Sequence, residues 1–279
     1  MKFIRSFSVL MPVHQREDIF LLFDKSIMSI FKNTLLPRKV FVLIDGVINL
    51  AFKKKIFFYK EKFNFQVLQS KKKIGLARIL NLGINNVHTD WIIRADADDY
   101  NFPNRFAKLM NISNQKFDLI GSHVYETDFK SKLTLKKMVP QDQGAIARMF
   151  KYKNPFNHMS VAFKTKFVKE CGGYPDISLK EDYALWANMF SRGARVKNLN
   201  MFLVNANTGS QMYNRRSGIT HIISEIKLQK YLLKKRITNI FYSFFIGFIR
   251  ILFYVTPSFL KFFFYIFFLR KKIKYVFNK

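Results

Sequence analysis

The chain has 279 residues, 49% of them hydrophobic and 17% aromatic, which allows one large domain or a domain with an appendage. A single cysteine, Cys171, excludes a disulfide framework and a cysteine metal site. The formal net charge of +30 is unevenly spread: from Gln211 onward there are 14 Lys and Arg against one acid, Glu225. Met1–Ser6 lacks the apolar run of a signal peptide, and with the lone cysteine this leads us to expect a reducing compartment.

Phe7-Ser8-Val9-Leu10-Met11-Pro12 reads as a strand ending at a proline, followed by a helix over Glu17 to Phe31 with Phe20, Phe23, Ile27 and Ile30 at helical spacing. Lys39 to Ile44 is a second strand ending at Asp45-Gly46, Leu50 to Phe63 a basic helix, and Phe65 to Leu68 a third strand. Ile74-Gly75-Leu76 opens a helix to about Val87, and Trp91-Ile92-Ile93 has the length and β-branched content of a fourth, buried strand. This alternation predicts a mostly parallel α/β sheet flanked by helices. Such sheets bind ligands outside the carboxyl ends of their strands, where Pro12, Asp45, Lys71-Lys72-Lys73 and the acidic run after Ile93 all fall.

The second half is less regular. It predicts helices over Asn104–Asn111, Gln141–Lys151 and Lys164–Glu170, strands over Leu119–Ser122 and Ser160–Phe163, and an extended excursion over Lys132–Val139. Gly172-Gly173-Tyr174-Pro175 is a turn, and Leu179-Lys180-Glu181-Asp182 opens a further helix that Gly193 stops.

Asp96, Asp98 and Asp99 place three carboxylates within four residues at a strand end. Like charges this close repel unless a cation sits among them, and hard oxygen donors suit Mg²⁺ or Mn²⁺ shared with a substrate's phosphates. The other reading is a solvated acidic turn in which Asp99 caps the next helix. Glu181-Asp182 fits either a general base or the ordinary preference for acids in a first helical turn. Asp45 accepts from a nucleobase N–H or simply makes an Asp-Gly turn. Arg78 faces a base or phosphate from the first turn of its helix, whereas His14 and His158 read as core or rim histidines.

Taken in order, these motifs resemble the family 2 inverting glycosyltransferases of GT-A fold. The resemblance covers about residues 5 to 210. It rests on Phe7–Val13, Gly75-Leu76-Ala77-Arg78-Ile79-Leu80-Asn81, Asp96-Ala97-Asp98-Asp99 with Pro103 and Arg105, Asn154-Pro155 with His158, Gly172-Gly173-Tyr174, and Glu181–Trp186. It implies that Pro12, Val13, Asp45, Gly75, Arg78, Asp96 and Asp99 bind a nucleotide sugar, that Asp98 ligates Mn²⁺ or Mg²⁺, and that Asp182 is the base with Glu181 beside it. The branch it resembles builds bacterial capsule and O-antigen units, some members being β-1,3-galactosyltransferases. That implies a UDP-hexose donor and a polyprenyl-diphosphate-linked glycan acceptor at the cytoplasmic face of the inner membrane. His14 departs from the family's usual Tyr or Phe, and Asp45-Gly46-Val47 lacks a frequent second Asp.

Two other classes share single features with this sequence. A nucleotidyltransferase needs a Gly-rich basic loop after its first strand, which Met11–Gln15 is not. A nucleic-acid-binding protein would explain the charge, but the basic tail is apolar and no binding module is recognisable, so no nucleic-acid partner is expected. The tail, 211–279, is expected to be a helical, membrane-associating extension to the 1–210 catalytic domain. Asn239–Ile249 and Ser258–Leu269 are nearly all apolar, aromatic-rich and edged by basic residues, which suits a peripheral or monotopic anchor better than a span. A span over the first stretch requires Arg250 to snorkel to the interface.

Overall fold

A computed structural model describes residues 6–113, 116–128, 131, 133–208 and 218–256, with the backbone of 271–273. Four parallel strands form one half of its sheet, in the order β3 (Gln66–Gln69), β2 (Lys39–Ile44), β1 (Phe7–Val13), β4 (Trp91–Arg94). The other half turns mostly antiparallel: β8 (Ala162–Lys164) pairs with β4, β6 (Leu119–Thr127) with β8, and β7 (Thr134–Lys137) with β6. Lys271–Ile273 (β10) adds an antiparallel edge to β7. β9 (Val196–Asn207) runs parallel to β6 and also holds the two-residue strand β5 (Tyr100–Asn101).

Alternation along the central strands puts apolar side chains on both faces of the sheet. Leu10, Phe41, Leu43 and Ile92 join one core, and Val9, Met11, Val40, Val42 and Ile93 join the other. Helices cover both faces, as a sheet buried on two sides requires. α1 (Glu17–Phe31) inserts Phe23, Ile27 and Ile30, all fully buried, and α2 (Leu50–Lys62) adds Phe52 and Ile56 to the same side. α4 (Arg105–Ser113) completes that side with Phe106 and Leu109. The opposite side receives α3 (Leu76–Asn86), α5 (Gln143–Phe150), α6 (Thr165–Glu170) and α7 (Glu181–Ser191).

Pro12 lies inside the central strand. Leu10 accepts from Ala95 on the β4 side, and Val13 accepts from Asp45 on the β2 side. Residues alternate between neighbours, so Pro12 faces β4 beyond the point where its pairing ends at Leu10–Arg94. No ladder bond is lost there, and the parting of β1 from β4 opens the cleft.

The C-terminal chain contributes two helices, α8 (Ile219–Lys234) and α9 (Ile240–Val255). Leu228 and Leu232 of α8 join the core beneath α7. Arg250 of α9 does not snorkel: its guanidinium turns inward to Glu225, because that fully buried carboxylate needs a counter-charge. Among the described residues no helix is long and apolar enough to cross a membrane. The 210/211 boundary and the Ser258–Leu269 stretch lie outside the described residues.

Candidate active site

Two adjoining clefts open at the carboxyl ends of β1, β2 and β4. One, of about 560 Å³, is lined by Pro12, Val13, His14 and Asp45, by Lys73 to Ile79, and by Asp176, Ser178, Leu179 and Glu181. The other, of about 280 Å³, is lined by Pro12, His14, Arg16, Leu76, Arg94, Asp96 to Asp99, Met159 and Asn207. Every expected site residue except Asp182 lines one of them.

Asp45 is committed to the protein backbone. Its two oxygens accept from the N–H groups of Ile74 (2.7 Å) and Gly75 (3.1 Å), fixing the turn into α3 where Gly75 adopts φ +92°. The carboxylate that the sequence offered to a nucleobase thus shapes the pocket wall. Arg78 is likewise engaged, with Asp176 across the cleft at 2.7 Å, both side chains being exposed.

The acidic run divides by surroundings. Asp96 accepts from Arg94 at 2.5 Å. Burial opposes its ionisation, but Arg94, His158 and Arg16 outweigh burial and hold its carboxyl below the usual range. Burial and repulsion from Asp96 push Asp98 up, despite its 2.5 Å ion pair with Arg16. Asp99 is buried, and burial with the charges of Asp96 and Asp98 lifts it well above a normal carboxyl. It does not cap the next helix: Oδ1 accepts from Asn207 N–H at 2.8 Å, and Oδ2 has no hydrogen-bond partner among the described residues. The buried Arg105 behind it bonds Asn101 and the Arg94 carbonyl instead.

This arrangement fits a divalent cation. Carboxylates raised by mutual repulsion, one with an unsatisfied oxygen, gain from a positive charge, and their hard oxygens suit Mg²⁺ or Mn²⁺. Among the described residues no group of three or more His, Cys, Asp or Glu is placed to hold a metal alone. Asp98, with Asp96 beside it, would therefore hold the ion on one side only, leaving its other positions to phosphate or water.

Glu181 and Asp182 start α7. The chain enters through Leu179 at φ +64°, a left-handed conformation uncommon for a branched side chain. Glu181 is buried, and burial with repulsion from Asp182 pushes its pKa to about 7. Asp182 is half-buried; Asn154 Nδ2 donates to its Oδ2 at 2.7 Å, and the Tyr183 N–H donates to its Oδ1 at 2.7 Å.

His158 packs inward, in keeping with its reading as a core or rim histidine. It follows Asn154-Pro155, lies edge-on to Trp186, and pairs its Nε2 with the Tyr174 hydroxyl at 2.9 Å. Burial and Arg94 depress it to about 4, against the pull of Asp182 and Asp96, so the imidazole is neutral at neutral pH. Three residues carried no expected role: Arg94, Arg16, and Asn81, which stood only as the last residue of the Gly75–Asn81 motif. Asn81 clamps the Tyr174 backbone from both sides, donating to its carbonyl (2.9 Å) and accepting from its N–H (2.7 Å). Gly173 passes so close that a Cβ would stand 2.3 Å from Asn81 Oδ1.

The sequence pattern of glycosyl transferase family 2 matches residues 8–171, a stretch reaching from β1 through the acidic run to α6. The chain belongs to this family. It is 35% identical over 227 residues to the UDP-Gal:alpha-D-GlcNAc-diphosphoundecaprenol beta-1,3-galactosyltransferase of Escherichia coli, covering 80% of this chain and 82% of that protein. It is 31% identical over 226 residues to the amylovoran biosynthesis glycosyltransferase AmsE of Erwinia amylovora, covering 80% and 84%.

Solved structures share the fold. They include S. aureus TarS 1-349 in complex with UDP-GlcNAc (TM-score 0.62, 15% identity, 82% of this chain) and the mannosyltransferase PcManGT from Pyrobaculum calidifontis in complex with GDP-Man and Mn2+ (TM-score 0.62, 12% identity, 84% of this chain). This chain spans 66% and 64% of those two, slightly less than two thirds of each. As a family 2 glycosyltransferase, the protein is a transferase of GT-A type.

Proposed function

We propose that the protein transfers a hexose, galactose in the first instance, from a UDP-sugar to a lipid-linked glycan acceptor during bacterial surface-polysaccharide synthesis, forming a β-1,3 bond with inversion. The observation that carries this is an acidic run suited to a metal diphosphate in one cleft, with Glu181 in the wall of the adjoining cleft and next to it Asp182, a separate carboxylate that Asn154 holds. The named activity of the E. coli relative, and the UDP-sugar in the related TarS structure, support the donor and the acceptor class.

In this reading the nucleotide lies in the larger cleft against Pro12, Val13, the Gly75 turn and Arg78, and Asp45 keeps that turn in place. Asp96 faces the ribose and donor sugar, Asp98 takes the metal, and Asp99 supports both. A bound Mn²⁺ or Mg²⁺ would neutralise charge developing on the leaving diphosphate. Asp182 removes the acceptor hydroxyl's proton as the oxygen attacks the anomeric carbon opposite the leaving group. Asn154 fixes the direction of that carboxylate, as a general base requires. One base suffices because a single displacement forms no covalent enzyme intermediate.

A lipid-linked acceptor calls for a surface near the membrane. α9 exposes Ile240, Phe241, Phe244, Phe248 and Val255, each more than half exposed, along one helix with Arg250 on its inner side. Sixteen residues span about 24 Å, short of the roughly 30 Å hydrocarbon core. This favours a helix lying in the interface. Replacing Phe244 and Phe248 by Glu is expected to release the protein from anionic liposomes in a flotation assay, and unchanged flotation would remove α9 as the anchor.

The test of the activity is a screen of UDP-sugars with a synthetic α-GlcNAc-diphosphate lipid, reading UDP release with Mn²⁺, Mg²⁺ or EDTA. UDP-galactose with metal is expected to turn over, and EDTA and Asp98→Ala are expected to abolish release. Full release in EDTA would contradict the metal assignment.

A further inference from the structure

Arg250 of α9 reaches the surroundings of Asp182 by three routes: through Glu225 to Lys180, over the ring of Tyr183, and to the Tyr152 carbonyl in the loop after α5. Arg250 of α9 donates through Nη1 to Glu225 Oε1 at 2.7 Å, and Glu225 Oε2 in turn takes Lys180 Nζ at 2.8 Å. Lys180 is the residue immediately before Glu181-Asp182. Through Nη2 the same guanidinium donates to the carbonyl of Tyr152, two residues before Asn154, whose side chain holds Asp182. Its planar group also lies over the ring of Tyr183, 5.7 Å from the centroid, directly after Asp182.

We propose that Arg250 is a positioning residue for the transfer reaction, setting from α9 the place of both the Asp182 carboxylate and the Asn154 amide that aims it. The inference rests on Asp182 being the base.

The physical case is one of geometry and burial. Glu225 is fully buried and accepts from Gln229 (2.7 Å) and Tyr254 (3.0 Å) as well as from the two cations, so its position is fixed from four sides. A guanidinium presents donors in a rigid fork, and here one arm takes a carboxylate on α8 while the other takes a backbone carbonyl in the loop after α5. A lysine keeps the charge but spans only one of the two. Misplacement of a base by as little as about 1 Å costs on the order of a hundredfold in rate, so a fork that fixes both sides of Asp182 acts on turnover. Donor binding is not touched, because no residue of this network lines either cleft. The apolar face proposed to meet lipid and the residue that positions the base thus share one short helix, α9.

The experiment uses the full chain carrying Arg250→Met, Arg250→Lys, Glu225→Gln or Asp182→Asn. It combines transfer kinetics with UDP-galactose and the GlcNAc-diphosphate lipid, UDP binding by calorimetry, and backbone amide hydrogen exchange. Arg250→Met is expected to lower kcat at least tenfold while the donor KM and the Kd for UDP stay within twofold. Arg250→Lys is expected to recover at least threefold of that loss. Exchange is expected to accelerate about tenfold at Tyr152–Asn154 and Glu181–Tyr183 and to stay unchanged in β1 and β2, a readout that needs no donor. If Arg250→Met fails to fold, Glu225→Gln is read by the same criteria. The proposal is overturned if exchange at those two segments is unaltered, if kcat is unaltered, or if UDP affinity falls in parallel with kcat. Normal transfer by Asp182→Asn would overturn the base assignment instead. An inactive Asp182→Asn beside a normal Arg250→Met would overturn the positioning role alone.

Discussion

Glu181 and Asp182 are adjacent in sequence but occupy different surroundings. Asp182 receives two hydrogen bonds, one from Asn154 and one from its neighbour's N–H. Glu181 is buried beside it, and its proton is retained up to about pH 7. The linkage has a definite sign. A carboxyl raised from 4.5 to about 7 lets folding take up a proton, so its charged form increasingly penalises the native state as pH rises from 4.5 through 7. Glu181→Gln is therefore expected to raise the stability of the ligand-free protein at pH 8, by up to about 3 kcal/mol, and to leave it unchanged near pH 4. Urea melts at the two pH values read this directly; an equal shift at both would contradict the burial of an ionisable Glu181.

At the scale of elements, the site is assembled by loops that clamp one another. Asn81 on α3 holds the Gly172–Tyr174 turn, which delivers the Tyr174 hydroxyl to His158 and brings Asp176 to Arg78. Asn81→Ala leaves the partly buried Tyr174 amide and carbonyl unpaired and is expected to cost about 1–3 kcal/mol, with the donor KM rising because the Arg78–Asp176 wall loosens. Thermal melts and donor kinetics check this, and a change in neither would remove the clamp. The parallel half of the sheet and its helices were legible from periodicity: α1 falls on Glu17–Phe31 as expected, and β1, β2 and β4 within a residue. β9 was not foreseen, and α8 was expected only as an undivided part of a helical tail.

β9 reads Val-Lys-Asn-Leu-Asn-Met-Phe-Leu-Val-Asn-Ala-Asn, and its asparagines break the apolar alternation. One of them, Asn198, is buried against Gly121 and donates to the Pro140 and Pro155 carbonyls, a role that only the assembled fold creates. Register shifts against β6 at Ser122–Val124 further obscure its period. Within the site, the acids were legible because carboxylates at strand ends stand out. The roles of Arg94, Arg16 and Asn81 were not, because Arg94 closes an otherwise apolar strand, and Asp98 and Tyr174, which Arg16 and Asn81 hold, lie far off in sequence.

For the molecule as a whole, the C-terminal chain changes meaning. Its single acid, Glu225, anchors α8 and α9 to the catalytic body through Lys180 and Arg250. Burial opposes the charge, but Arg250 and Lys180 outweigh burial and bring the pKa down to about 2. Stability from this group is thus complete above about pH 4.5 and is lost as pH falls toward 2. The wild type should exceed Glu225→Gln by about 3 kcal/mol at neutral pH, with the gap closing between pH 4.5 and 2.5 in denaturant titrations. A constant gap would mean that the carboxylate is not held by its cations.

The central claim is a single inverting displacement with the donor diphosphate at the acidic run and Asp182 as the base, and the anomeric configuration of the product tests it most directly. Proton NMR of the disaccharide formed from UDP-α-galactose and the GlcNAc-diphosphate lipid is predicted to show a β-linked galactose from the earliest turnovers, absent with Asp182→Asn. An α-linked product, which needs retention through a second nucleophile or a front-face attack, would contradict the account.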